Sequence, residues 1–359
     1  MVVKLVHCSD LHLDSALRSN LSREKARIRN AELCAAFGRM VAFAKQERVT
    51  AVLIAGDLFD SSYVSRQTVD YVLEVIRDAS RIKFFYLHGN HDGSKAVFAD
   101  FDLPDNLNTF NSQWNSYQFE QVTITAMEPE GSDWLTMYDR LQLDGEALNI
   151  VMLHGQIAAQ PGAEQIALPM LREKHIRYLA LGHLHAYSKA PLDMDGEYCY
   201  AGCLEGRGFD ECGEKGFVLL ETDGIRLQSR FVPFAARTLH EVSVDITEQN
   251  TVTQILSKMK QAAEDIAPQD LVKFTLTGTY TLQTQKDLCF LQQMLEPDFW
   301  FVKIKDETQL QVDKTSFAYD LSLKGEFVRS VLASAYNEEE KTHIISCGIR
   351  ALNGEEVLL

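Results

Sequence analysis

The chain has 359 residues, of which 46% are hydrophobic and 24% charged, values that are ordinary for a globular protein of two or three domains. Its formal net charge of -16 argues against a protein that coats nucleic acid through a basic surface. The seven cysteines are scattered without a CxxC pair, which argues against a disulfide framework and a thiolate zinc site. No apolar stretch approaches the length of a membrane span and no secretory signal is recognisable, so we expect a cytoplasmic protein.

Short β-branched runs alternate with helical patterns over the first 230 residues. Five runs end in polar clusters, as strands do in α/β architectures that gather functional groups at their carboxyl ends: "KLVHCSD", "TAVLIAGD", "KFFYLHGN", "LNIVMLHG" and "IRYLALGH". Between the first two runs, apolar residues at helical spacing predict a helix over residues 22–46, with Ser22 as its N-cap. The later segments "EYCYAG", "GFVLLET" and "IRLQSRFV" lack intervening helices and predict antiparallel strands. The fold class predicted for this region is α/β.

The pattern changes near "VPFAART", residues 232–238. After a first domain over 1–235, strand and helix patterns follow in the order β, α, β, α, β, which predicts a small α+β domain over 236–320. Residues 321–359 predict two amphipathic helices, the second capped by Asn337. The apolar faces of these helices are as compatible with packing on their own domain as with docking a partner.

Polar residues of one chemical kind stand at five strand ends: "SDLH" (Asp10, His12), "GDLFD" (Asp57), "GNHD" (Asn90, His91, Asp92), "LHG" (His154) and "GHLH" (His183, His185). Each motif alone is also ordinary turn chemistry, because Gly, Asn and Asp suit turns. The repetition at successive strand ends favours one shared site. His183 and His185 are two residues apart, so in an extended chain their side chains lie on one face.

A mixture of carboxylate, imidazole and amide ligands suits divalent ions such as Mn, Fe or Zn. The candidate ligands are too many for one ion and enough for two ions with one bridging carboxylate: Asp10, His12, Asp57, Asn90, His154, His183 and His185. Two such ions roughly 3.5 to 4 Å apart can stabilise the attacking and leaving oxygens of a phosphoryl displacement. With two ligand carboxylates the site keeps a charge of about +2, which attracts phosphate in spite of the acidic chain. The sequence therefore predicts a dinuclear hydrolase.

The ordered motifs D-x-H, G-D-x-x-D, G-N-H-D, H-G and G-H-x-H resemble those of the calcineurin-like metallophosphoesterases over residues 4–186. Within that superfamily, "LVHCSDLHLD", "GDLFD" and "YAGCLEGRGFDECGEKGF" look like the DNA repair exonucleases of the SbcD type. The resemblance implies a metallophosphoesterase β-sandwich flanked by helices in four layers, αββα. It further implies that the α+β domain is a cap that helps to bind DNA, followed by the C-terminal helices.

The same resemblance divides the ligands between two metals, of which Mn²⁺ is the first choice and Fe or Zn the alternatives. It assigns one metal to Asp10, His12 and His185, the other to Asn90, His154 and His183, and the bridging position to Asp57. The cofactors implied are therefore two divalent metal ions.

Catalytic and substrate contacts also follow from the resemblance. His91 matches the catalytic histidine, which would protonate the leaving oxygen, and Asp92 would orient it. Arg207, in the "GRGF" of the SbcD-like segment, and Arg18 are the candidate substrate-binding residues. A basic segment near Arg18, residues 23–29, could also contact phosphate, although charged residues along a helix are more often a solvated face.

Three functional hypotheses follow. The first is a metal-dependent DNA exonuclease or endonuclease, the nuclease subunit of an SbcCD-like DNA repair complex with a coiled-coil ATPase of the SbcC type. A homodimer is a further possible assembly, and no membrane is involved. The second is a phosphodiesterase for nucleotides or cyclic nucleotides, and the third is a non-catalytic, metal-containing scaffold for an ATPase partner.

Overall fold

A computed structural model describes residues 2–15, 17, 21–60, 64–92, 95–281, 284–311, 317 and 319–352. The chain divides into two compact units, Met1–Leu239 and His240–Leu359. Within the described residues, no helix is both long enough and apolar enough to cross a membrane.

Two six-stranded sheets form the centre of the first unit. Its strands are β1 (Val3–Cys8), β2 (Ala51–Ala55), β3 (Lys83–Leu87), β4 (Leu107–Thr109), β5 (Asn115–Phe119), β6 (Val122–Ala126), β7 (Leu148–His154), β8 (Gln156–Ala158), β9 (Gln165–Ala167), β10 (Ile176–Gly182), β11 (Ser188–Pro191), β12 (Glu197–Tyr200), β13 (Gly216–Thr222) and β14 (Leu227–Pro233). The first sheet has the order β14-β13-β1-β2-β3-β4, and the second has the order β11-β12-β10-β7-β6-β5.

Parallel pairing brings the carboxyl ends of the central strands together. In the first sheet β1 is parallel to β2, and β2 to β3, while in the second β7 is parallel to β10. The strands β13 and β14 are antiparallel, as their lack of intervening helices predicted. The strand β12, from "EYCYAG", is antiparallel to β11 but parallel to β10, so the prediction for this segment is correct only in part. Each sheet therefore offers one edge at which several strand-end loops meet.

Hydrophobic cores lie between the successive layers of this unit. Its helices are α1 (Arg23–Gln46), α2 (Arg66–Asp78) and α3 (Asp133–Arg140). Side chains of α1 and α2 pack on one face of the first sheet, the inner faces of the two sheets pack on each other, and α3 covers the outer face of the second sheet. Alternation along β1 explains the arrangement, since Val6 faces the helices and Leu5 faces the other sheet. The layers are α, β, β and α, which confirms the expected sandwich.

The helix predicted over residues 22–46 is confirmed as α1. The Ser22 hydroxyl accepts the backbone N–H of Lys25 at 3.2 Å, which satisfies a donor in the first turn. Leu33, Phe37 and Val41 are buried, but Ile28 is 41% exposed, so the buried face begins later than the apolar pattern suggested.

The second unit contains an α+β core and a separate helix pair. Its elements are β15 (Leu239–Asp245), α4 (Val252–Ala262), β16 (Leu271–Thr277), β17 (Thr279–Tyr280), α5 (Leu288–Leu295), β18 (Phe301–Asp306), β19 (Gln309–Leu310), α6 (Leu323–Leu332) and α7 (Glu338–Leu352). The three-stranded sheet has the order β15-β16-β18, and α4 and α5 share its core. The helices α6 and α7 pack on each other through Val328, Ile345 and Ile349. Asn337 caps α7 by accepting the backbone N–H of Glu340 at 2.8 Å.

Candidate active site

The polar strand ends of the two sheets meet in one place in the first unit. Backbone hydrogen bonds join the loops after β1 and β2, from Asp10 N to Gly56 O (3.0 Å) and from His12 N to Asp57 O (2.9 Å). A link between the sheets runs from the backbone N–H of His183 to both carboxylate oxygens of Asp10, at 3.0 and 3.1 Å. The side chains singled out from separate motifs therefore belong to one site.

The backbone is strained where this site forms. Asp10, His12, Asp57 and His183 have positive φ angles of 54, 44, 51 and 107°. Non-glycine residues adopt such angles at an energetic cost and do so mainly where the surrounding structure imposes them, often at functional sites. The strand-end loops are therefore held in conformations that aim these side chains.

A first group of candidate ligand atoms comprises Asp10, His12 and His185, which lie within 4.8 Å of one another. The Nε2 atoms of His12 and His185 are only 3.2 Å apart. Burial, followed by the charge of Arg207, lowers the pKa of His12 to about 3. His12 is therefore a neutral imidazole, the form that binds metals.

A second group of candidate ligand atoms comprises Asp10, Asp57 and His154, again within 4.8 Å of one another. Asp57 Oδ2 lies 3.3 Å from His154 Nε2 and 3.7 Å from His12 Nε2, between histidines of the two groups. Asn90 Oδ1 lies 3.0 Å from His154 Nε2. Asp10 is thus common to both groups, whereas the sequence had predicted that Asp57 alone is shared by the two metals.

His183 has a different position from the other predicted histidine ligands. Its ring centroid lies 5.6 Å from that of His154, and among the described residues it does not enter either three-residue group. Its contact with the site runs through its backbone N–H, which Asp10 accepts. A metal-binding role for the His183 side chain therefore stays a prediction.

The donor set around His154 fits a divalent cation. His154 Nδ1 donates to the carbonyl oxygen of Ala55 at 2.9 Å, so a neutral ring presents Nε2 as an acceptor toward Asn90 Oδ1 and Asp57 Oδ2. Acceptors that face one another at such distances require a cation or a proton among them. Burial lowers the pKa of His154, but the hydrogen bond and charge of Asp57 outweigh it and raise that pKa to about 9. This point in the structure therefore favours positive charge.

His91 and Asp92 follow β3, beside the second group. The His91 backbone N–H donates to Asp57 Oδ1 at 2.8 Å, and its ring centroid lies 5.1 Å from that of His12. Among the described residues, no hydrogen bond joins Asp92 to the His91 ring, so an orienting role for Asp92 stays a prediction. Both Asp92 oxygens instead accept backbone N–H groups, from Phe59 at 2.8 Å and from Gly89 at 2.7 Å, so this carboxylate joins the loops after β2 and β3.

Glu211 is a residue of this site that the sequence reasoning missed. Its Oε1 lies 2.7 Å from His185 Nδ1, and its side chain is 6% exposed. Arg207 holds the same carboxylate with its backbone N–H at 2.7 Å and its Nη2 at 2.8 Å. Burial raises the pKa of Glu211, but the hydrogen bonds from His185 and Arg207 outweigh it and hold the pKa far below its usual range. Glu211 is therefore an anion that fixes the orientation of His185.

The basic residues predicted to contact substrate have different positions. Arg207 lies beside His185, and its guanidinium is bound to Glu211. Arg18 lies outside the described residues. Arg29 is 1% exposed and is paired with Glu32 and Glu205, so its contact with phosphate was a wrong expectation, because a buried guanidinium needs a carboxylate partner inside the protein.

Residues 3–187 match the family described as calcineurin-like phosphoesterase, a span that contains every candidate metal ligand. The chain belongs to this family. The uncharacterized metallophosphoesterase YhaO of Bacillus subtilis (strain 168) is 24% identical to this phosphoesterase over 353 residues, covering 87% of this chain and 83% of its own length. The DNA double-strand break repair protein Mre11 of Aeropyrum pernix is 25% identical over 297 residues, which cover 73% of this chain and 70% of that protein. Mre11 of Sulfolobus acidocaldarius is 23% identical over 376 residues, which cover 96% and 94%.

Proposed function

We propose that this phosphoesterase is a dinuclear-metal-dependent DNA nuclease that hydrolyses phosphodiester bonds in DNA repair. The observation that carries the proposal is the pair of ligand groups that share Asp10 and have Asp57 Oδ2 between their histidines. The name Mre11 among relatives that align with up to 96% of this chain supports DNA as the substrate. Because the alignment reaches into the second unit, the likeness is not confined to the catalytic region.

In this proposal the described side chains hold two divalent ions, with Mn²⁺ as the first choice. Asp10, His12 and His185 would hold one ion, Asn90, His154 and His183 would hold the other, and Asp57 would contribute to both. The ions supply Lewis-acid activation of a water molecule and of the phosphoryl oxygens. The protein supplies the fixed orientation of these ligands through the Ala55 carbonyl and the Glu211 carboxylate.

His91 has two separate parts in this mechanism. Its backbone N–H holds Asp57 Oδ1, which directs Oδ2 toward His154 and His12. Its side chain is exposed next to His12, where a phosphodiester over the ligands can reach it. From that position the His91 side chain can donate a proton to the leaving oxygen, a contribution typically worth about 10²- to 10⁴-fold in rate.

We also propose that the second unit takes part in assembly and DNA binding. In the proposed complex its α+β core acts as a cap on DNA, and the helix pair α6 and α7 docks on a coiled-coil ATPase of the SbcC type. Large apolar side chains at the start of the helix pair support the docking, since Leu321 is 97% and Leu323 72% exposed.

A nuclease assay tests the proposed function. Linear DNA is incubated with the wild type, with His91→Asn and with His175→Asn, in Mn²⁺ and in EDTA. We expect cleavage by the wild type and by His175→Asn in Mn²⁺ only, because His175 is an exposed histidine outside the site. His91→Asn should bind the same amount of metal and cleave about 10²-fold more slowly, since its backbone contact with Asp57 remains.

Two results would contradict the proposal. Hydrolysis of small diesters without any cleavage of DNA would support the small-molecule phosphodiesterase instead. Full repair activity of the metal-loaded His91→Asn protein in cells would support the non-catalytic scaffold.

A further inference from the structure

A cavity of about 410 Å³ opens beside the second ligand group of the first unit. Asn90 and His154, which belong to that group, form part of its wall. The rest of the wall comes from the end of β3 and the loop after it, from residues 127–130 and from Trp134 and Glu164, none of which the proposed chemistry uses. A substrate whose phosphate lies at Asn90 and His154 therefore has a neighbouring group that can enter this cavity.

One part of the cavity wall is apolar and firmly packed. Leu87, Met127 and Trp134 line it, and each is less than one-tenth exposed. Met127 and Trp134 belong to the core that packs α3 on the second sheet, so this wall keeps its shape. A flat apolar group is a suitable occupant, and stacking of a nucleobase on an aromatic side chain is a common mode of nucleic-acid binding.

Besides His88, Asn90 and His154, the polar part of the wall consists of three glutamates. Glu128, Glu130 and Glu164 line it, and the described lining residues include neither Lys nor Arg. Glu128 is fixed in place because its Oε1 accepts the His88 backbone N–H at 3.0 Å and lies 2.7 Å from His88 Nδ1. Ionised carboxylates accept hydrogen bonds and repel other anions. The occupant is therefore a neutral group with N–H donors rather than a second phosphate.

We propose that this cavity is a nucleoside subsite, which holds an amino-bearing base of the nucleotide whose phosphate lies at Asn90 and His154. The inference rests on the proposed nuclease function and names the part of the substrate that this side of the site recognises. A nucleobase combines a flat apolar face, which suits the wall of Leu87, Met127 and Trp134, with exocyclic N–H donors, which Glu128, Glu130 and Glu164 can accept. Since pairing and stacking hide these groups in a duplex, the bound base has left its pair.

The test measures binding of a nucleoside without phosphate, so that it does not depend on catalysis. Deoxyadenosine and, separately, deoxyribose are titrated against the protein in EDTA, with saturation-transfer NMR as the readout. Trp134→Leu keeps an apolar side chain in the core but removes the aromatic face. Trp114→Leu is the matched control, because Trp114 packs against the same core and does not line the cavity. Thermal unfolding of both variants shows that each is folded.

We expect deoxyadenosine to bind and deoxyribose not to bind. Trp134→Leu should weaken deoxyadenosine binding by about tenfold, the order of magnitude that loss of base stacking produces. Glu130→Gln, at an exposed position on the rim, should weaken it by severalfold, and Trp114→Leu should leave it unchanged.

Three outcomes would overturn the subsite. These are absence of deoxyadenosine binding up to its solubility limit, an equal loss in Trp114→Leu and Trp134→Leu, and binding of choline or ethanolamine in place of the nucleoside. The two proposals also fail separately. Nucleoside binding by a protein that cuts no DNA would refute only the nuclease function, whereas DNA cleavage without nucleoside binding would refute only the subsite.

Discussion

Replacing Glu211 by Gln should weaken the metal position that contains His185. The substitution keeps the shape of the side chain and removes its charge, which now lies 2.7 Å from His185 Nδ1. A hydrogen bond to a charged group contributes about 1.5 to 3 kcal/mol and a neutral one about 0.5 to 1.5 kcal/mol. The difference of about 1 to 1.5 kcal/mol corresponds to a roughly tenfold increase in the dissociation constant of that metal. This lies at the lower end of the 10- to 100-fold effects typical of residues that orient metal ligands.

Calorimetric titration of Mn²⁺ into the metal-free protein measures this effect directly. Glu205→Gln is the matched control, because Glu205 is also buried and bound by arginines, Arg29 and Arg39, but contacts no candidate ligand. We expect Glu211→Gln to weaken one of two binding events and Glu205→Gln to weaken neither. Melting temperatures in EDTA separate a loss of stability from a loss of metal affinity. Unchanged Mn²⁺ affinity in Glu211→Gln, or an equal loss in Glu205→Gln, would refute the orienting role.

Two further substitutions test the packing behind the site and the state of a buried histidine. Gly182→Ala should lower metal occupancy, because a Cβ there would overlap the Ala55 carbonyl that holds His154. Gly145→Ala is its control, since a Cβ at that position meets only ordinary contacts. Metal analysis by mass spectrometry measures the metal content of both variants. Burial lowers the pKa of His7 to about 3 from an ordinary value of about 6.5, so the unfolded chain takes up a proton first as the pH falls. Protonation of His7 alone should then lower the free energy of unfolding by about 1.4 kcal/mol per pH unit between these values. In urea titrations the free energy of unfolding of His7→Gln should therefore fall less steeply as the pH is lowered, by about that amount per unit. The same pH dependence of the free energy of unfolding in the wild type and His7→Gln would contradict the second expectation. A full metal content in Gly182→Ala would contradict the first.

The fold was predictable from the sequence to the extent that it depends on local periodicity. Alternation along β1 separates Val6 from Leu5, and the Ser22 cap fixes the start of α1. The order of strands in the two sheets could not be predicted in the same way, because it depends on pairing between segments far apart in the chain. The exposure of Ile28 shows the limit even within α1, since an apolar residue near a helix start need not reach the core.

The candidate site was predictable where a motif places polar residues at a strand end. Asp10, His12 and Asp57 are of this kind, and the structure brings them together. Glu211 was missed because it follows His185 by 26 residues and no spacing rule connects them. Its only signal was its place in the segment "YAGCLEGRGFDECGEKGF", next to Arg207.

The contacts of Asp92 and Arg29 could not be predicted from spacing either. Asp92 stands next to His91 in the chain but accepts hydrogen bonds from the backbones of two different loops. Arg29 lies among basic residues on α1 but turns inward to Glu205, far away in sequence. In both cases tertiary contacts between distant segments decide what a charged side chain does.

The most direct test of the two-metal account is electron paramagnetic resonance of the protein loaded with Mn²⁺. Ions roughly 3.5 to 4 Å apart with a shared carboxylate are magnetically coupled. The wild type with two equivalents of Mn²⁺ should therefore give a coupled spectrum, and Asp57→Asn should give only the signal of isolated ions. A wild-type spectrum of isolated ions at full loading, together with undiminished DNA cleavage, would contradict a dinuclear centre around Asp57.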